Sequence, residues 1–314
     1  MKEIRKTALI GLGAMGSFFA PKLEALLHDD FYLIAEGARK ERLEKTGVQI
    51  NGKVYRLPVK TPEEREEADL IIAATKGYSL DQAICDIRNH VGKETLILPV
   101  LNGVESEEKM IRAYGEEHVL HAFMRVSIVM KDGVTSYDPA LGAVYFGERT
   151  NDPEALSERV LRVKDLFDRA GIRYRIGRDM VHDIWFKFAC NVGENLTSAL
   201  LGVPFGVYTW CEDADYIRIG AMREVQAVAA RKGIILTDEE IEKQGATLRD
   251  IPPRNRPSTL QDLDAGKHTE IDMFAGTVVR LGEEYGIPTP ICTLLLHGIK
   301  AREYLNDHRD TLLA

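Results

Sequence analysis

Several things are scarce in this 314-residue chain, and each scarcity closes a class of function. There are four cysteines, Cys85, Cys190, Cys211 and Cys292, with no C-x-x-C pair and no short regular spacing. Neither a disulfide framework nor a zinc site is indicated, and a reducing cytoplasm fits best. No uninterrupted run of about 18 apolar residues occurs, so no membrane span is expected. The chain has no basic block and a net charge of −8, which argues against nucleic acid as a partner. His118, His121, His182 and His268 fall at no metal-ligand spacing, so no metal site is expected. Internal repeats and low-complexity stretches are also missing. The N-terminus, MKEIRK followed by TALIGLGAMGSFFA, superficially resembles a signal peptide. Three glycines interrupt it and no A-x-A site follows, so it reads as strand, loop and helix.

What is present is an ordinary globular composition, 45% apolar and 29% charged, over a length sufficient for two domains. The first half alternates short apolar runs with helical patterns, as a parallel sheet with crossover helices requires. Candidate strands are TALIGL (7–12), FYLIA (31–35), DLIIAAT (69–75), TLILPV (95–100) and VLHAFM (119–124). GVQINGKVYRLPV, VSIVMKDGVTSY and GAVYFGE read as hairpin strands with N-G and D-G turns. A helix from about Pro153 to Ala170, ended by Gly171, leads to the short strand IRYRIG. Long helical runs then take over: 179–200, 211–232, 237–249, 258–285 with a break near Gly266, and 290–306. The expectation is a dinucleotide-binding domain over 1–177 and an all-helical domain over 178–314.

At the N-terminal end, Gly11-Leu12-Gly13-Ala14-Met15-Gly16 matches G-x-G-x-x-G directly after a strand and before a helical run. The first glycine permits a tight turn, the second lets the backbone approach a pyrophosphate, and the third allows close helix–strand packing. The helix start offers free N–H groups and a positive dipole end to phosphates. Its place at the first strand–helix turn separates it from a glycine-rich structural turn. Glu36 lies 20 residues after Gly16, at the end of the second strand. A carboxylate there accepts hydrogen bonds from both ribose hydroxyls of NAD and repels the 2′-phosphate of NADP. Arg39 and Lys40 stay open as phosphate ligands or solvated loop charges. Glu36 leans the expectation toward NADH over NADPH.

A second feature lies in the helical half. Lys187, Asn191 and Asn195, at four-residue spacing, interrupt an otherwise apolar run from Asp179 to Gly202. At about 100° per residue they fall within roughly 80° of one another on one stripe. Ile184, Trp185, Phe188, Val192 and Leu196 lie to one side, and Phe186, Cys190 and Leu200 to the other. A helix apolar on both sides of a polar stripe is buried and faces something polar. An ammonium there calls for a carboxylate or a ligand. Further on, RPSTLQDLDAGKHTEIDMFAG holds Ser258, Asp262 and Glu270. Glu270 sits near a helix N-terminus beside an apolar stripe beginning at Ile271, a position able to approach Lys187. The structural alternatives are a dipole-stabilised first-turn carboxylate for Glu270, packing amides for Asn191 and Asn195, and an N-cap for Ser258.

GLGAMG, the Asn102-Gly103 pair after a fourth strand (LPVLNGV), W-x-K-x-x-x-N-x-x-x-N and S-x-x-x-D…T-E-I-D together resemble the ketopantoate reductase family, in order and over nearly the whole chain. The resemblance implies an α/β N-terminal Rossmann-type domain with a mostly parallel sheet. It also implies an all-α C-terminal domain like that of 6-phosphogluconate dehydrogenase. The implied activity is NADPH- or NADH-dependent reduction of a small 2-keto acid, ketopantoate, in pantothenate synthesis, with a homodimer as candidate assembly. Matched to the motifs, Lys187 would be the general acid, its pKa lowered by burial and held up by a nearby carboxylate. Glu270 would hold the lysine and neighbouring hydroxyls and reach the cofactor. Asn191, Asn195 and Ser258 would grip the substrate's carboxylate and hydroxyl. Asn102 would sit where nicotinamide meets substrate, and Lys76, ending the third strand in AATKGYSL, would lie against the cofactor. A plain turn at Asn102-Gly103 and a solvated strand-end lysine at Lys76 are the structural alternatives.

Two departures stand out. Glu36 occupies what looks like the position of an arginine suited to the NADPH 2′-phosphate, and Val-Leu precedes Asn102 in place of Leu-Gln. A β-hydroxyacid dehydrogenase shares a GLGxMG-like loop and a helical lysine followed by asparagine, but its glycine- and serine-rich substrate loop is absent here. A non-catalytic nicotinamide-dependent sensor is the third alternative, against which an intact Lys187–Glu270 pair argues.

Overall fold

The computed structural model describes residues 2–131 and 133–312. Its internal contacts divide the chain into two compact units, Met1–Val181 and His182–Ala314. Among the described residues, the first unit holds the strands β1 (Thr7–Ile10), β2 (Phe31–Ile34), β3 (Val48–Ile50), β4 (Lys53–Tyr55), β5 (Val59–Lys60) and β6 (Ala68–Ala73). They are followed by β7 (Val91–Pro99), β8 (His121–Arg125), β9 (Ile128–Lys131), β10 (Val134–Tyr137), β11 (Ala143–Gly147) and β12 (Tyr174–Ile176).

Five of these form a parallel sheet in the order β5-β2-β1-β6-β7. Numbered by their own sequence order the five run 3-2-1-4-5, so the direction of winding reverses between β1 and β6. Alternation along the strands builds two cores. Leu9, Leu33, Leu70, Ile72 and Leu98 join Phe18, Phe19 and Phe167 on one face. Ala8, Ile10, Ile34, Ile71 and Ile97 join Leu80, Ala83 and Met110 on the other. A sheet covered by helices on both faces explains why its strands read as continuous apolar runs.

The Asn51-Gly52 hairpin forms as expected, with both residues at positive φ (49° and 80°) as a two-residue type I′ turn requires. The second hairpin pairs β9 with β10 across the D-G turn, of which Asp132 lies outside the described residues. Three expectations need correction. Leu57-Pro58-Val59 does not continue the first hairpin: Val59 and Lys60 leave it and pair in parallel with β2 at the sheet's edge. The 119–124 run does not extend the parallel sheet as a regular strand. It touches β7 through a single parallel bridge, Ile97 to Val119, and then pairs antiparallel with β11 in a separate three-stranded sheet. The helix expected from Pro153 starts at Glu158, because the Ser157 hydroxyl caps it by accepting from the Val160 N–H at 3.2 Å.

Among its described residues the second unit has helices joined by loops and no strand. The helix expected over 179–200 is not a single α-helix. It runs α-helical over Met180–Cys190, widens to a π turn over Asn191–Asn195, and resumes as α-helix over Leu196–Leu201. The run expected over 258–285 breaks more widely than one glycine would require: Ser258–Asp264 ends, a loop follows, and a second π turn, Asp272–Gly276, opens the helix Thr277–Tyr285. Gly193 explains how the first wide turn packs. A Cβ there would lie 2.5 Å from Met222 Cγ and 2.8 Å from the Arg218 carbonyl oxygen, so only glycine lets the turn sit against the helix Glu212–Arg231. Thr237 and Glu240 form a reciprocal capping box on Asp238–Thr247. Glu224 accepts from the N–H groups of Ile291 (2.8 Å) and Cys292 (2.7 Å) at the start of Pro290–Asp307.

In the first unit, Glu107 is 5% exposed on the helix Ser106–Tyr114. It accepts from the Ser106 hydroxyl at 2.8 Å and from the Ala122 N–H at 3.4 Å. Burial pushes its carboxyl up to about 7, from an ordinary 4.5. The folded state therefore binds a proton more tightly than the unfolded state does, and stability falls as pH rises through that window. Glu107→Gln should be more stable than the parent near pH 8, by on the order of a few kcal/mol, with the advantage vanishing toward pH 4. Urea unfolding across that range measures it; a constant difference at all pH values would contradict the account.

Candidate active site

The nucleotide end of the first unit is built at the carboxyl ends of β1, β2, β6 and β7, where an open α/β sheet leaves its ligand crevice. Gly11 follows β1 with φ of +94°, and a Cβ there would lie 2.5 Å from the Ala74 carbonyl carbon. Gly16 packs so closely that a Cβ would collide with the Gly11 carbonyl oxygen. Around Gly13 nothing lies within 4 Å of a Cβ, so this glycine is not required by the protein's own packing. Gly13 is the N-cap of Ala14–Leu27, without a side-chain cap. Leu12 is buried, while Ala14 and Met15 are part-exposed at the helix start. The helix N-terminus thus presents backbone N–H groups into open space beside the glycine loop, as a pyrophosphate requires.

The other expected cofactor residues sit on the same edge of the sheet. Glu36 is exposed two residues past β2, at the N-cap of the helix Gly37–Thr46. Lys76 is exposed three residues past β6, at the N-cap position of the 3-10 turn Gly77–Ser79. Asn102 is half-buried three residues past β7, before Gly103 at φ +96°. Thr75 was not among the expected residues. Its backbone nitrogen packs against Gly11 and its hydroxyl is buried with no hydrogen-bond partner in the protein, and a lone threonine in AATKGYSL offers no sequence signal for that. An orphaned hydroxyl next to an open glycine loop fits a bound dinucleotide.

The residues expected to carry the chemistry lie in the second unit. Lys187, Asn191 and Asn195 are half-buried, while Ile184, Trp185, Phe188, Val192 and Leu196 beside them are buried. The polar stripe is therefore accessible along a helix whose neighbouring face is packed. The π turn changes its geometry. An i→i+5 turn holds more residues than an α turn, which cancels part of the expected rotation, and the Asn195 amide donates to Asn191 Oδ1 at 3.1 Å.

Glu270 stands at the head of the second wide turn, its carbonyl oxygen accepting from the N–H groups of Met273 (3.0 Å) and Phe274 (3.1 Å). It is half-buried. The two π turns pack against each other, and Phe188, next to Lys187, meets Phe274 with ring centroids 6.1 Å apart. The structure thus brings the Lys187 helix and the Glu270 segment together. Ser258 is exposed at the first position of a helix that also packs on the Asn191–Asn195 turn. Pro257, not Ser258, takes the N-cap position there, so the capping role considered for the serine does not hold.

Beneath the Asn191–Asn195 turn lies a buried polar layer that helical periodicity does not reveal. Glu194 accepts from Gln244 Nε2 at 2.8 Å, and the Tyr208 hydroxyl donates to the Glu194 carbonyl oxygen. Arg218, 1% exposed, pairs with Asp215 at 2.6 Å and lies over the Tyr208 ring. Burial, with Glu194 nearby, holds the Tyr208 hydroxyl well above its usual range, so it stays a donor. Among the described residues no cluster of three or more metal-ligating side chains occurs, and no helix is long and apolar enough to cross a membrane.

A five-stranded parallel sheet with a glycine loop at its first turn, followed by a helical unit bearing lysine, amides and a carboxylate, defines a Rossmann-type nicotinamide-dependent oxidoreductase. The family description "Ketopantoate reductase PanE/ApbA" matches residues 7–151, and "Ketopantoate reductase PanE/ApbA C terminal" matches 179–303. The chain is 31% identical to a 2-dehydropantoate 2-reductase of Streptococcus pyogenes, over 94% of this chain and 97% of that one. It is 30% identical to a 2-dehydropantoate 2-reductase of Pyrococcus horikoshii, over 96% and 98% of the two chains. Among solved structures, a PanE/ApbA family ketopantoate reductase from Ralstonia eutropha aligns with a TM-score of 0.79 at 26% identity, covering 96% and 100% of the two chains. A D-mandelate dehydrogenase in ternary complex with NADH and anilino(oxo)acetate aligns with a TM-score of 0.83 at 25% identity, over 96% and 99%. The chain belongs to the ketopantoate reductase family, and is an NAD(P)-dependent oxidoreductase.

The glycine loop separates two roles that one experiment can test. Gly13→Ala should fold with an unchanged Tm, because the added methyl meets no protein atom, and should bind NADH or NADPH at least about tenfold more weakly if the pyrophosphate takes that space. Gly16→Ala should lose about 1–3 kcal/mol of stability, because its methyl meets backbone. Thermal unfolding and cofactor fluorescence titration measure both; equal destabilisation by the two variants would contradict the assignment.

Proposed function

We propose that this enzyme reduces 2-dehydropantoate (ketopantoate) to (R)-pantoate in pantothenate and coenzyme A synthesis, with residues 1–177 holding the cofactor and residues 178–314 the substrate. The observation that carries the reading is the meeting of the Lys187–Asn191–Asn195 stripe with the Glu270 segment at two packed π turns. When bound, a reduced nicotinamide supplies a hydride to the ketone carbon. Negative charge then grows on the ketone oxygen, and Lys187 Nζ donates the proton that makes it a hydroxyl. Glu270 holds the Lys187 ammonium and accepts from the substrate hydroxyl. Asn191, Asn195 and Ser258 bind the substrate carboxylate and hydroxyl through neutral donors and acceptors, which orient it without competing for the lysine's charge. Asn102 orients the amide end of the cofactor against the substrate. Gly11, Leu12, Gly13, Ala14, Met15 and Gly16 cradle its phosphates, with Lys76 and the Thr75 hydroxyl alongside. The proposal includes a homodimer acting in the cytoplasm.

A second reading, reduction of another small 2-keto acid with NADH, is favoured by one observation. Glu36 is an exposed carboxylate at a helix N-cap past β2, where it suits ribose hydroxyls and not a 2′-phosphate. The D-mandelate dehydrogenase among the structural neighbours binds NADH. Initial rates with ketopantoate and with phenylglyoxylate, each with NADH and with NADPH, decide between the readings. Faster turnover of ketopantoate per unit KM supports the first.

Two variants test the residues. Lys187→Ala should lower kcat by about 10²–10⁴ while cofactor Kd changes little, because the lost interaction belongs to the transition state. An unchanged kcat would remove Lys187 from the mechanism. Glu36→Arg should shift the NADPH/NADH ratio of kcat/KM upward by about tenfold or more. A ratio that stays put would show that Glu36 does not read the ribose.

A further inference from the structure

The helix Pro290–Asp307 carries a polar stripe at Lys300, Glu303, Asn306 and Asp307, residues three, four and seven apart that share one face. Three of them grip the segment that contains Ser258 and Glu270. Asn306 donates to the Leu263 carbonyl oxygen at 2.8 Å, where the Ser258–Asp264 helix ends. Lys300 pairs with Asp272 at 2.6 Å, on the second π turn. Between them, Glu303 is 9% exposed and Thr269 is 8% exposed. Glu303 Oε1 accepts from both the N–H and the hydroxyl of Thr269, each at 2.7 Å. The same Thr269 hydroxyl oxygen accepts from the Ile271 N–H at 3.2 Å.

These bonds fall on either side of one residue. Thr269 precedes Glu270 and Ile271 follows it, and a single buried carboxylate ties down the first directly and the second through the hydroxyl. The Glu270 carbonyl oxygen is held as well, by Met273 and Phe274. We propose that Glu303 is a positioning residue for Glu270: it locks the backbone on both sides, and so sets the direction in which the Glu270 carboxylate projects. The inference rests on the role given to Glu270 under Proposed function. A carboxylate suits the task because it is acceptor-only, matching two converging donors, and charge-assisted bonds in a buried site are short and strong. His268 Nδ1 lies 3.7 Å from Glu303 Oε2 and its Nε2 3.2 Å from Asp307, so the second oxygen faces a partner too. The stripe therefore acts as a rigid rail under a loop that would otherwise leave Thr269 N–H buried and unpaired.

A double-mutant cycle tests this on the full chain: E303A, E303Q, E270A and the E303A/E270A pair, assayed on the 2-keto acid turned over best. Amide hydrogen exchange over residues 269–271 serves as a readout independent of turnover. E303A should lower kcat by about 10- to 100-fold, since small misplacement of a catalytic group has effects of that size. E303Q, whose amide oxygen still accepts from Thr269, should recover most of it. In the E270A background E303A should cost nothing further, because both changes remove the same contribution. Exchange at Thr269 and Ile271 should speed up by about tenfold or more in E303A. Equal loss of kcat with and without Glu270, an unchanged kcat, or unaccelerated exchange overturns the inference and leaves the role of Glu270 standing. Wild-type kcat and KM in E270A overturn the role of Glu270, and this inference with it. Should E303A fail to fold, T269V takes its place in the cycle, removing the hydroxyl bridge while keeping a branched side chain of similar shape.

Discussion

In the helical unit one packing contact, Phe188 against Phe274, accompanies the meeting of the two wide turns. Phe188 is one residue from Lys187, and Phe274 is four residues from Glu270. Aromatic side chains bury large, stiff surfaces, so a contact between them fixes the separation of the backbones that carry them. Asn191 and Asn195 lie on the π turn that follows Phe188, and Glu270 heads the π turn that contains Phe274. A wide turn costs regular α-helical bonding and persists where surrounding structure holds it, which is one reason such turns gather at functional sites.

Surrounding structure does hold these turns, and it does so with buried charge. Gly193 lets the first turn sit on the backbone of the helix Glu212–Arg231, while Gln244 and Tyr208 bond to Glu194 from below. Arg218 is neutralised by Asp215 within the same layer. Under the second turn the buried Glu303 plays the corresponding part, with the exposed Lys300–Asp272 pair beside it. Burying such groups is costly unless each is bonded, and Glu194, Arg218 and Glu303 each have a partner. The result is a division of labour. Buried groups such as Glu194, Arg218 and Glu303 hold the backbone, while the polar side chains proposed to react, Lys187, Asn191, Asn195 and Glu270, are half-buried.

The nucleotide end shows a simpler economy. Its glycines fall into two groups that the distances distinguish: Gly11 and Gly16 are demanded by backbone nearby, and Gly13 by nothing within the protein. Most of this end was legible in the sequence, because G-x-G-x-x-G after an apolar strand is a local pattern and its meaning is local. The Asn51-Gly52 hairpin was legible for the same reason. What escaped was non-local. Val59 and Lys60 look like the tail of a hairpin until β2 is beside them, and the 119–124 run looks like a sheet strand until β11 competes for it. Thr75 is an unremarkable threonine until its hydroxyl is seen buried without a partner.

The sequence by itself determined the class of fold, and it singled out the glycine loop and the polar residues of the helical half as candidates. Those follow from periodicity and spacing along one chain, which short-range backbone geometry translates directly. Only the tertiary structure decided how the residues are held. The π turns arise because packing against neighbouring helices outweighs the α-helical register, and no spacing in 179–202 announces that. Glu303 stands 33 residues after Glu270 on another helix, and its carboxylate acquires meaning when folding places it under Thr269. Side-chain chemistry is written residue by residue, whereas the direction in which a side chain points is a property of everything packed around its backbone.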